Sequence, residues 1–266
     1  MRIIILGSTG MLGRYMKSYF KHDLITIDRN DFNVLNLNDH DIRDILIQKG
    51  AKMGDIVLNC IGAIKQRNYS DDEYYKINTL FPIELSDVCE TLGLKMIHFS
   101  TDCVFSGDRG NYLEIDKKDA NDSYGISKGD GEPKNCMVIR TSIIGEELNN
   151  KLGLLEWVKS QEGKEVYGYT NHYWNGVTCL ELAKIVEKII IYRLYWTGVR
   201  HFHSPTSVSK YVLINMINSI YRLNIKLIPH ETKKLDRRLK SKMDLRNFEI
   251  KELYEQIKEL RHFRLD

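Results

Sequence analysis

The sequence predicts an α/β fold, a doubly wound parallel sheet with helices on both faces, followed by a smaller carboxyl-terminal lobe. Two observations predict it. Apolar strands alternate with helical segments up to about residue 145, the order typical of βαβ units. The strands are short runs of branched apolar residues, which is typical of strands buried on both faces. The alternation weakens from about Glu146, so we expect residues 1–145 to form the sheet domain and 146–266 mainly the lobe.

The first strand, Ile3–Leu6, runs into a glycine-rich turn with the spacing Gly-x-x-Gly-x-x-Gly. A helix with an apolar stripe follows, from Met11 to Phe20. Glycine lets the backbone turn tightly and approach a ligand, and a helix start offers free N–H groups to an anion. The turn therefore predicts a dinucleotide diphosphate site, although a glycine turn without a ligand has the same pattern. The expected contacts are Gly7, Ser8, Thr9, Gly10, Met11 and Leu12.

The second strand, Leu24–Ile27, ends where dinucleotide folds distinguish the adenosine ribose. An acid there accepts from a free 2′-hydroxyl, whereas an arginine pairs with a 2′-phosphate. Arg29 favours NADPH and Asp28 keeps NADH open, while a solvated turn is the alternative for either residue. After this strand we expect a short strand over Phe32–Leu35 and an acidic helix over Asp39–Gln48.

Two later strands deliver small or polar residues to the edge at which open parallel sheets bind ligands. The strand Asp55–Gly62 ends in mostly small residues, against which a cofactor's sugar and diphosphate could lie. The strand Met96–Phe99 ends in polar residues, where chemistry would take place. Between them we expect a helix over Tyr74–Leu92 that contains Asn78. The residues at the two strand ends are Cys60, Ile61 and Gly62, and Ser100, Thr101 and Asp102.

A tyrosine and a lysine, Tyr124 and Lys128, stand four residues apart and share one face if their segment is helical. This spacing is common by chance, so its weight comes from its place after the glycine turn and the Ser100–Asp102 strand end. Gly129, Gly131 and Pro133 follow closely and are poor helix-interior residues. We therefore expect a short helix, which puts the rigid alignment of the pair in doubt.

With these motifs in order, the chain resembles the extended short-chain dehydrogenase/reductases, and within them the dTDP-4-dehydrorhamnose reductase-like sugar-nucleotide reductases. The matching segments are Gly7–Gly13, Ser100–Gly107, Tyr124–Lys128, Ile139–Ser142, Asn171–Thr178 and Ser209–Tyr211. The resemblance implies a Rossmann-type NADP-binding domain over 1–145, completed by about 172–203. It implies that 146–266 is mainly a substrate-binding lobe.

The resemblance implies NADPH-dependent reduction of the 4-keto group of a nucleoside-diphosphate 4-keto-6-deoxyhexose in deoxysugar biosynthesis. Tyr124 would donate the proton, Thr101 would orient the substrate oxygen, and Lys128 would hold the nicotinamide ribose. A free phenol titrates near 10, so Lys128 must act in a water-poor pocket to lower the pKa of Tyr124. A structural tyrosine and a strand-end cap are the alternatives. The other cofactor contacts would be Cys60, Ile61, Gly62, Asn78 and Ser100.

Substrate contacts would come from the strand ends and from the lobe, which has an aromatic run over 167–174 and a basic run over 233–242. The basic run offers Arg237 or Arg238 to a nucleotide diphosphate. Gly62–Gln66 and Trp174–Val177 look like the branch that acts on UDP-linked 2-acetamido-4-keto sugars, which favours UDP over dTDP. The expected substrate contacts are Lys65, Asp102, Val104, Phe105, Trp174 and Arg238.

Two other functions stay open. Related 4,6-dehydratases resemble this chain but carry Thr-Asp-Glu at the strand end, where Cys103 stands here, so dehydration is disfavoured and epimerisation remains. A non-catalytic NADP-binding regulatory subunit, like the methionine adenosyltransferase partner, is the contrasting class. The presence of Thr101, Tyr124 and Lys128 argues against it.

The composition and patterning of this chain of 266 residues argue against several classes of protein. Its 39 Lys and Arg against 36 Asp and Glu give a net charge of +3, which is no nucleic-acid footprint. Neither a signal peptide nor a membrane span is evident, and five scattered cysteines indicate reduced thiols, so we expect a soluble cytoplasmic protein. His201 and His203 share a strand face without a third ligand, so no metal site is predicted. A homodimer is compatible with the resemblance.

Overall fold

The computed structural model describes residues 1–36, 42–149 and 151–266. In these residues the central sheet has six strands, all parallel, in the order β10-β5-β4-β3-β1-β2. They are β1 (Ile3–Leu6), β2 (Leu24–Ile27), β3 (Ile56–Asn59), β4 (Lys95–Thr101), β5 (Met137–Thr141) and β10 (Gly198–His201). The predicted α/β fold with a parallel sheet is confirmed.

Helices cover both faces of the sheet because its side chains alternate between two apolar cores. Ile3, Ile5 and Ile97 belong to one buried cluster, whereas Ile4 and Val138 belong to the other. The helices are α1 (Met11–Tyr19), α2 (Ile42–Gln48), α3 (Asp71–Tyr75), α4 (Phe81–Thr91), α5 (Ser123–Asp130), α6 (Leu154–Lys159), α7 (Cys179–Ile191), α8 (Lys210–Tyr221) and α9 (Leu253–His262). Since β1 lies between β2 and β3, the chain reverses its winding direction there, and ligands bind outside such a switch point.

The expected strand over Phe32–Leu35 is wrong, because Val34–Asn36 forms a 3-10 turn. Phe32 and Val34 are buried, which gives the alternation of a strand. The side-chain oxygen of Asn33, however, accepts from the backbone N–H of Leu35 at 3.2 Å, and its carbonyl accepts from Asn36. These bonds turn the backbone. Of the expected helix Asp39–Gln48, the structure describes residues 42–48, all helical, and the remainder lies outside the described residues.

The helix expected over Tyr74–Leu92 is present but begins earlier and contains a π-helical segment, Lys76–Leu80, between α3 and α4. It begins at a capping box in which Ser70 and Glu73 bond each other's backbone. Pro82 has no N–H to donate, so the carbonyl of Asn78 loses its usual helical partner. This is where α5 packs against the segment.

The remaining strands follow β5 in the sequence and form three small sheets: β11-β8-β13, β12-β7 and β6-β9. Their strands are β6 (Ile143–Ile144), β7 (Glu165–Tyr169), β8 (His172–Trp174), β9 (Val177–Thr178), β11 (Val208–Ser209), β12 (Lys226–His230) and β13 (Leu235–Asp236). α6, α8 and α9 bury Leu155, Ile217 and Ile257 in the core that also contains Ile3. The lobe therefore shares its core with the sheet domain.

A search of the described helices finds none long and apolar enough to cross a membrane.

Candidate active site

A cleft of about 690 Å³ lies along the carboxyl ends of β1, β3, β4 and β5 and reaches the lobe. Parallel strands place their carboxyl ends at one edge, so residues from distant parts of the sequence meet there. The expected site residues that line it are Gly7, Thr9, Gly10, Met11, Leu12, Asp28, Arg29, Cys60, Ile61, Gly62, Lys65, Ser100, Thr101, Asp102, Tyr124, Lys128 and Trp174. The structure thus brings together both halves of the predicted site.

The glycine turn at the end of β1 forms a cradle without side chains. Gly7 has a φ of +75°, a conformation that favours glycine, and its N–H donates to the carbonyl of Ile27 at 2.9 Å. A Cβ on Gly13 would lie 2.9 Å from Gly7 C and Ser8 Cα, so α1 packs directly on the turn. α1 begins after Gly10 with no side-chain cap, and its first N–H groups stay available to an anion. This geometry fits a dinucleotide diphosphate.

The two residues after β2 differ in their freedom to bind a ligand. One oxygen of Asp28 accepts from the backbone N–H of Asn30 at 2.8 Å and holds the turn. Arg29 is exposed, lines the cleft, and forms no hydrogen bond or ion pair with the described residues. Its guanidinium is therefore available to an anionic group at this end of the cleft.

α5 carries Tyr124 and Lys128 and is fixed at both ends. Asp122 caps it by accepting from the N–H of Gly125 at 2.9 Å, and its other oxygen pairs with Lys65 at 2.8 Å. At the far end the backbone of Gly131 approaches Asn78 so closely that any Cβ there would collide with the Asn78 carbonyl. The helix is short, as its glycines indicate, yet its alignment is enforced by its neighbours.

Asn78 ties α5 to the loop after β3 instead of lining the cleft. Its Oδ1 accepts from the N–H of Ala63 at 2.9 Å, and its Nδ2 donates to the Ala63 carbonyl and to Ser127 Oγ, both at 3.2 Å. Thr79 also donates to the Ser127 carbonyl, at 2.8 Å. The buried amide thus joins the expected cofactor loop to the helix with the tyrosine and lysine.

Lys128 is buried, and its Nζ donates to the carbonyl of Phe99 at 2.7 Å. Burial lowers its pKa to about 8, against the nearby carboxylate of Glu132, which raises it. Glu132 is itself held by Ser100 Oγ at 2.5 Å and by a two-pronged pair with Arg140 at 2.7 and 2.8 Å. The lysine therefore lies in the water-poor environment that the sequence analysis expects for it.

Burial raises the pKa of the Tyr124 phenol, while the Thr101 hydroxyl acts in the opposite direction. The phenol is therefore protonated at neutral pH. The pKa lowering expected from Lys128 is not seen: the Thr101 hydroxyl is the group that lowers this pKa, whereas Cys103, Asp102 and Asp122 add to the effect of burial. Thr101 ends β4, and its hydroxyl accepts from the N–H of Cys103 and donates to Asp102, both at 3.1 Å.

Four other expected contacts lie outside the cleft lining. Ser8 is buried within the turn, and its N–H bonds the Ile27 carbonyl at 3.4 Å. Val104 and Phe105 are buried in a separate apolar cluster, where Phe105 stacks on Tyr112 at 4.2 Å between ring centroids. Arg238 is paired with the buried carboxylate of Asp236 at 2.7 and 2.8 Å. The charge of Arg238 is thereby neutralised by a carboxylate of the lobe.

Sequence reasoning missed residues whose signals were present. Asp122 stands directly before Ser123, the first residue of α5, at the position typical of a cap. Ser142 follows β5 and accepts from the indole N–H of Trp174 at 2.8 Å, and both residues line the cleft. Lys210, which belongs to the matching segment Ser209–Tyr211 but is not among the expected contacts, also lines the cleft.

Both ring nitrogens of His201 are occupied. Nδ1 lies 3.1 Å from the Tyr112 carbonyl and 3.0 Å from the Lys240 carbonyl, so the hydrogen-bond network assigns it the proton. Nε2 then accepts from Arg140 at 2.8 Å. His203 bonds the Ser204 carbonyl at 2.9 Å. Within the described residues no cluster of three metal-ligating side chains is found.

The fold and the cleft define a Rossmann-type α/β protein with a glycine-turn cradle beside a partly buried tyrosine and a buried lysine. A family model described as "RmlD substrate binding domain" matches residues 1–264. The chain belongs to this family.

Two curated relatives are named dTDP-4-dehydrorhamnose reductase. The one from Mycobacterium tuberculosis is 29% identical over 139 residues, which are 49% of this chain and 44% of the relative. The chain thus matches less than half the length of that relative. The one from Aggregatibacter actinomycetemcomitans is 25% identical over 230 residues, 79% of this chain and 76% of the relative.

The solved structures that share the fold include two dTDP-4-dehydrorhamnose reductases. A dTDP-4-dehydrorhamnose reductase from Clostridium acetobutylicum has a TM-score of 0.81 at 23% identity and covers 98% of this chain and 99% of its own. One from Bacillus anthracis, in complex with NADP, has a TM-score of 0.82 at 21% identity and covers 98% of both chains. At these identities the likeness shows the fold.

Proposed function

We propose that the protein is an NADPH-dependent reductase of the 4-keto group of a nucleoside-diphosphate 4-keto-6-deoxyhexose, in deoxysugar biosynthesis. The observation that carries the proposal is that Thr101, Tyr124 and Lys128 line the same cleft as the glycine turn. The names of the relatives, dTDP-4-dehydrorhamnose reductases, support the substrate class.

Ketone reduction needs a hydride on carbon and a proton on oxygen. A nicotinamide, when bound, supplies the hydride. Tyr124 donates the proton, because its phenol is protonated at neutral pH and lies beside the Thr101 hydroxyl. Thr101 orients the carbonyl oxygen, and the ammonium of Lys128 stabilises the phenolate that remains. The glycine turn holds the diphosphate of the dinucleotide, and Asp28 and Arg29 hold its adenosine ribose.

NADPH is the preferred cofactor in this proposal because Arg29 is available to a 2′-phosphate, whereas one oxygen of Asp28 is engaged in its own turn. We expect Arg29→Ala to weaken NADPH binding about tenfold and to leave NADH binding within about twofold, the loss of one charge-assisted pair. Fluorescence titration with each cofactor measures this. An equal loss for both cofactors would assign Arg29 another role.

A UDP-linked 2-acetamido sugar is the favoured substrate in this proposal. Its support is the sequence of the two segments Gly62–Gln66 and Trp174–Val177, both of which contribute residues to the cleft. Product identification by mass spectrometry after reaction with UDP- and dTDP-linked 4-keto sugars tests the preference.

Dehydration is disfavoured by the state of Cys103. Burial raises the pKa of this thiol to about 12, so it is neither an acid nor a base of useful strength at neutral pH. The regulatory-subunit function predicts NADP binding without turnover, and the assay below distinguishes it.

The decisive experiment follows NADPH absorbance in the presence of a 4-keto-6-deoxy sugar nucleotide. We expect the wild-type protein to consume NADPH. Tyr124→Phe should bind NADPH normally and turn over at least about a hundredfold more slowly, because the proton donor is gone. Tyr75→Phe, on an exposed side chain of α3, is the matched control. Wild-type turnover in Tyr124→Phe would remove this residue from the mechanism.

A further inference from the structure

Lys210 is the first residue of α8, and its side chain points from the lobe into the cleft that contains Thr101 and Tyr124. Its Nζ lies 5.1 Å from the ring centroid of Trp174, which also lines the cleft. Ser209 caps α8 by accepting from the N–H of Val212 at 3.2 Å, so the helix start itself is satisfied. The lysine is therefore not needed to begin the helix.

The ammonium of Lys210 forms no hydrogen bond or ion pair of its own among the residues that the structure describes. Other cations in this region are engaged: Lys65 pairs with Asp122 at 2.8 Å, and Arg238 pairs with Asp236. An ammonium group has three protons to donate. Lys210 thus brings three unused donors to the cleft.

Three effects make it energetically unfavourable to place the Lys210 ammonium here. Burial disfavours the charged form and lowers the pKa of Lys210, although Asp102 and Cys103 act against this. A cation at a helix N-terminus meets the positive end of the helix dipole. Donors without acceptors lose hydrogen bonds that water would provide. The cation–π contact of the ammonium with the Trp174 ring offsets part of these costs, but it provides no acceptor for the three N–H donors.

A second cation, Arg237, lies near the carboxyl end of β4, which Asp102 and Cys103 follow. Arg237 donates from Nε to the Phe105 carbonyl at 2.8 Å, and its Nη1 lies 3.9 Å from Cys103 Sγ. Arg237 and Lys210 both counteract the effect of burial, which raises the pKa of Asp102. Lys210 and Arg237 thus both lie near the carboxylate of Asp102, and Lys210 is the one of these two cations that lines the cleft.

We propose that Lys210 binds a phosphate oxygen of the sugar nucleotide's diphosphate and is a specificity-determining residue for nucleoside diphosphates. The inference rests on the proposed function, which supplies a substrate whose fixed negative charges are on its diphosphate. Arg238, the cation that the sequence favoured for this role, is neutralised by Asp236, whereas Lys210 has donors to offer. A carboxylate on the sugar ring is the other anion that the same ammonium could bind.

The test measures the binding of UDP, dTDP and UDP-glucuronic acid by calorimetry, with NADPH present and at low salt. Lys210→Met should weaken the tighter-binding nucleoside diphosphate at least about tenfold, Lys210→Arg should restore most of the affinity, and NADPH binding should not change. Lys233→Met, whose side chain is 92% exposed in the same lobe, is the matched control. If Lys210→Met fails to fold, Lys210→Gln replaces it.

Unchanged affinity for both diphosphates in Lys210→Met would overturn the proposal, and so would the absence of diphosphate binding in the wild-type protein. A loss confined to UDP-glucuronic acid would overturn it in favour of a sugar carboxylate. Failure of the proposed function is separate, because it is read from NADPH consumption by the wild-type protein with a keto sugar.

Discussion

Gly13 shows how one residue decides the shape of the cofactor cradle. The backbone of α1 and the turn approach so closely at this position that a Cβ would overlap the carbonyl of Gly7. Gly10, three residues earlier, has an extended backbone. A Cβ added to Gly10 would lie 3.3 Å from the carbonyl oxygen of Gly7. A side chain at Gly13 would therefore clash with the turn, whereas one at Gly10 would make only a tight contact with it.

We expect Gly13→Ala to lower the free energy of unfolding by about 2 kcal/mol and to weaken NADPH binding strongly, because α1 must move away from the turn. Gly10→Ala should cost less, about 1 kcal/mol or below, since its Cβ requires the Gly7 carbonyl to move by only a few tenths of an ångström. Urea unfolding and fluorescence titration measure both effects. Equal effects of the two substitutions would contradict the close-packing argument.

At the scale of elements, α5 depends on its neighbours for its position. It has eight residues, too few to be stable alone, and its ends are held by Asp122 and by the π-helical segment. The segment matters because it presents a buried amide, Asn78, to Ser127. The alignment of Tyr124 and Lys128 is therefore a property of three elements together.

Asp122→Ala should lower the free energy of unfolding by about 1 kcal/mol, because it removes the cap of α5. Asp122→Asn keeps the oxygen that accepts from Gly125 and loses only the pair with Lys65, which is half exposed and worth less than about 1 kcal/mol. We thus expect the asparagine variant to unfold close to the wild type in urea. Equal loss in both variants would instead point to the ion pair.

At the scale of the molecule, a buried polar network crosses the sheet edge and reaches the lobe. It runs from Ser100 through Glu132 and Arg140 to His201, which contacts the carbonyl of Lys240. Burial and the neighbouring Arg140 lower the pKa of His201 to about 4. Protonation would place a hydrogen on Nε2 against the donating guanidinium.

This network predicts a loss of stability in mild acid. Since the unfolded histidine binds its proton near pH 6.5 and the folded one near pH 4, stability falls as the pH drops through this window and levels off below it. Between pH 7 and pH 5 the contribution of His201 is about 2 kcal/mol.

Urea unfolding of the wild type and of His201→Gln at pH 7 and pH 5 measures this contribution. The variant should be less stable at pH 7 but lose about 2 kcal/mol less on acidification. His98, whose pKa burial also lowers, is present in both proteins and cancels in the comparison. Equal acid sensitivity would exclude His201 as the cause.

The fold and half of the site could be predicted because they depend on local patterns. Apolar runs such as Ile3–Leu6 indicate strands that are buried on both faces. The glycine spacing indicates where the backbone must approach another group closely. The turn over Val34–Asn36 was mistaken for a strand because its burial alternates, and its cause is an asparagine side chain bonding its own backbone. Burial patterns do not contain such bonds.

The substrate side was harder to predict because it depends on long-range pairing. Arg238 and Lys210 are both cations in the second half of the sequence. Only the structure shows that Arg238 forms an ion pair with Asp236, whereas Lys210 lies near Asp102 without an ion pair among the described residues. Phe105 is adjacent to the strand end but packs against Tyr112, because a separate small core forms there. Sequence distance does not reveal which neighbours compete for a side chain.

The contact between His201 and the carbonyl of Lys240 has a consequence for protein engineering. A chimaera that exchanges the last thirty residues for those of another family member keeps this contact only if the new segment places a backbone carbonyl where Lys240 has one. The backbone path of this segment beside β10, more than its side chains, therefore decides whether such an exchange leaves the buried histidine with both of its acceptors.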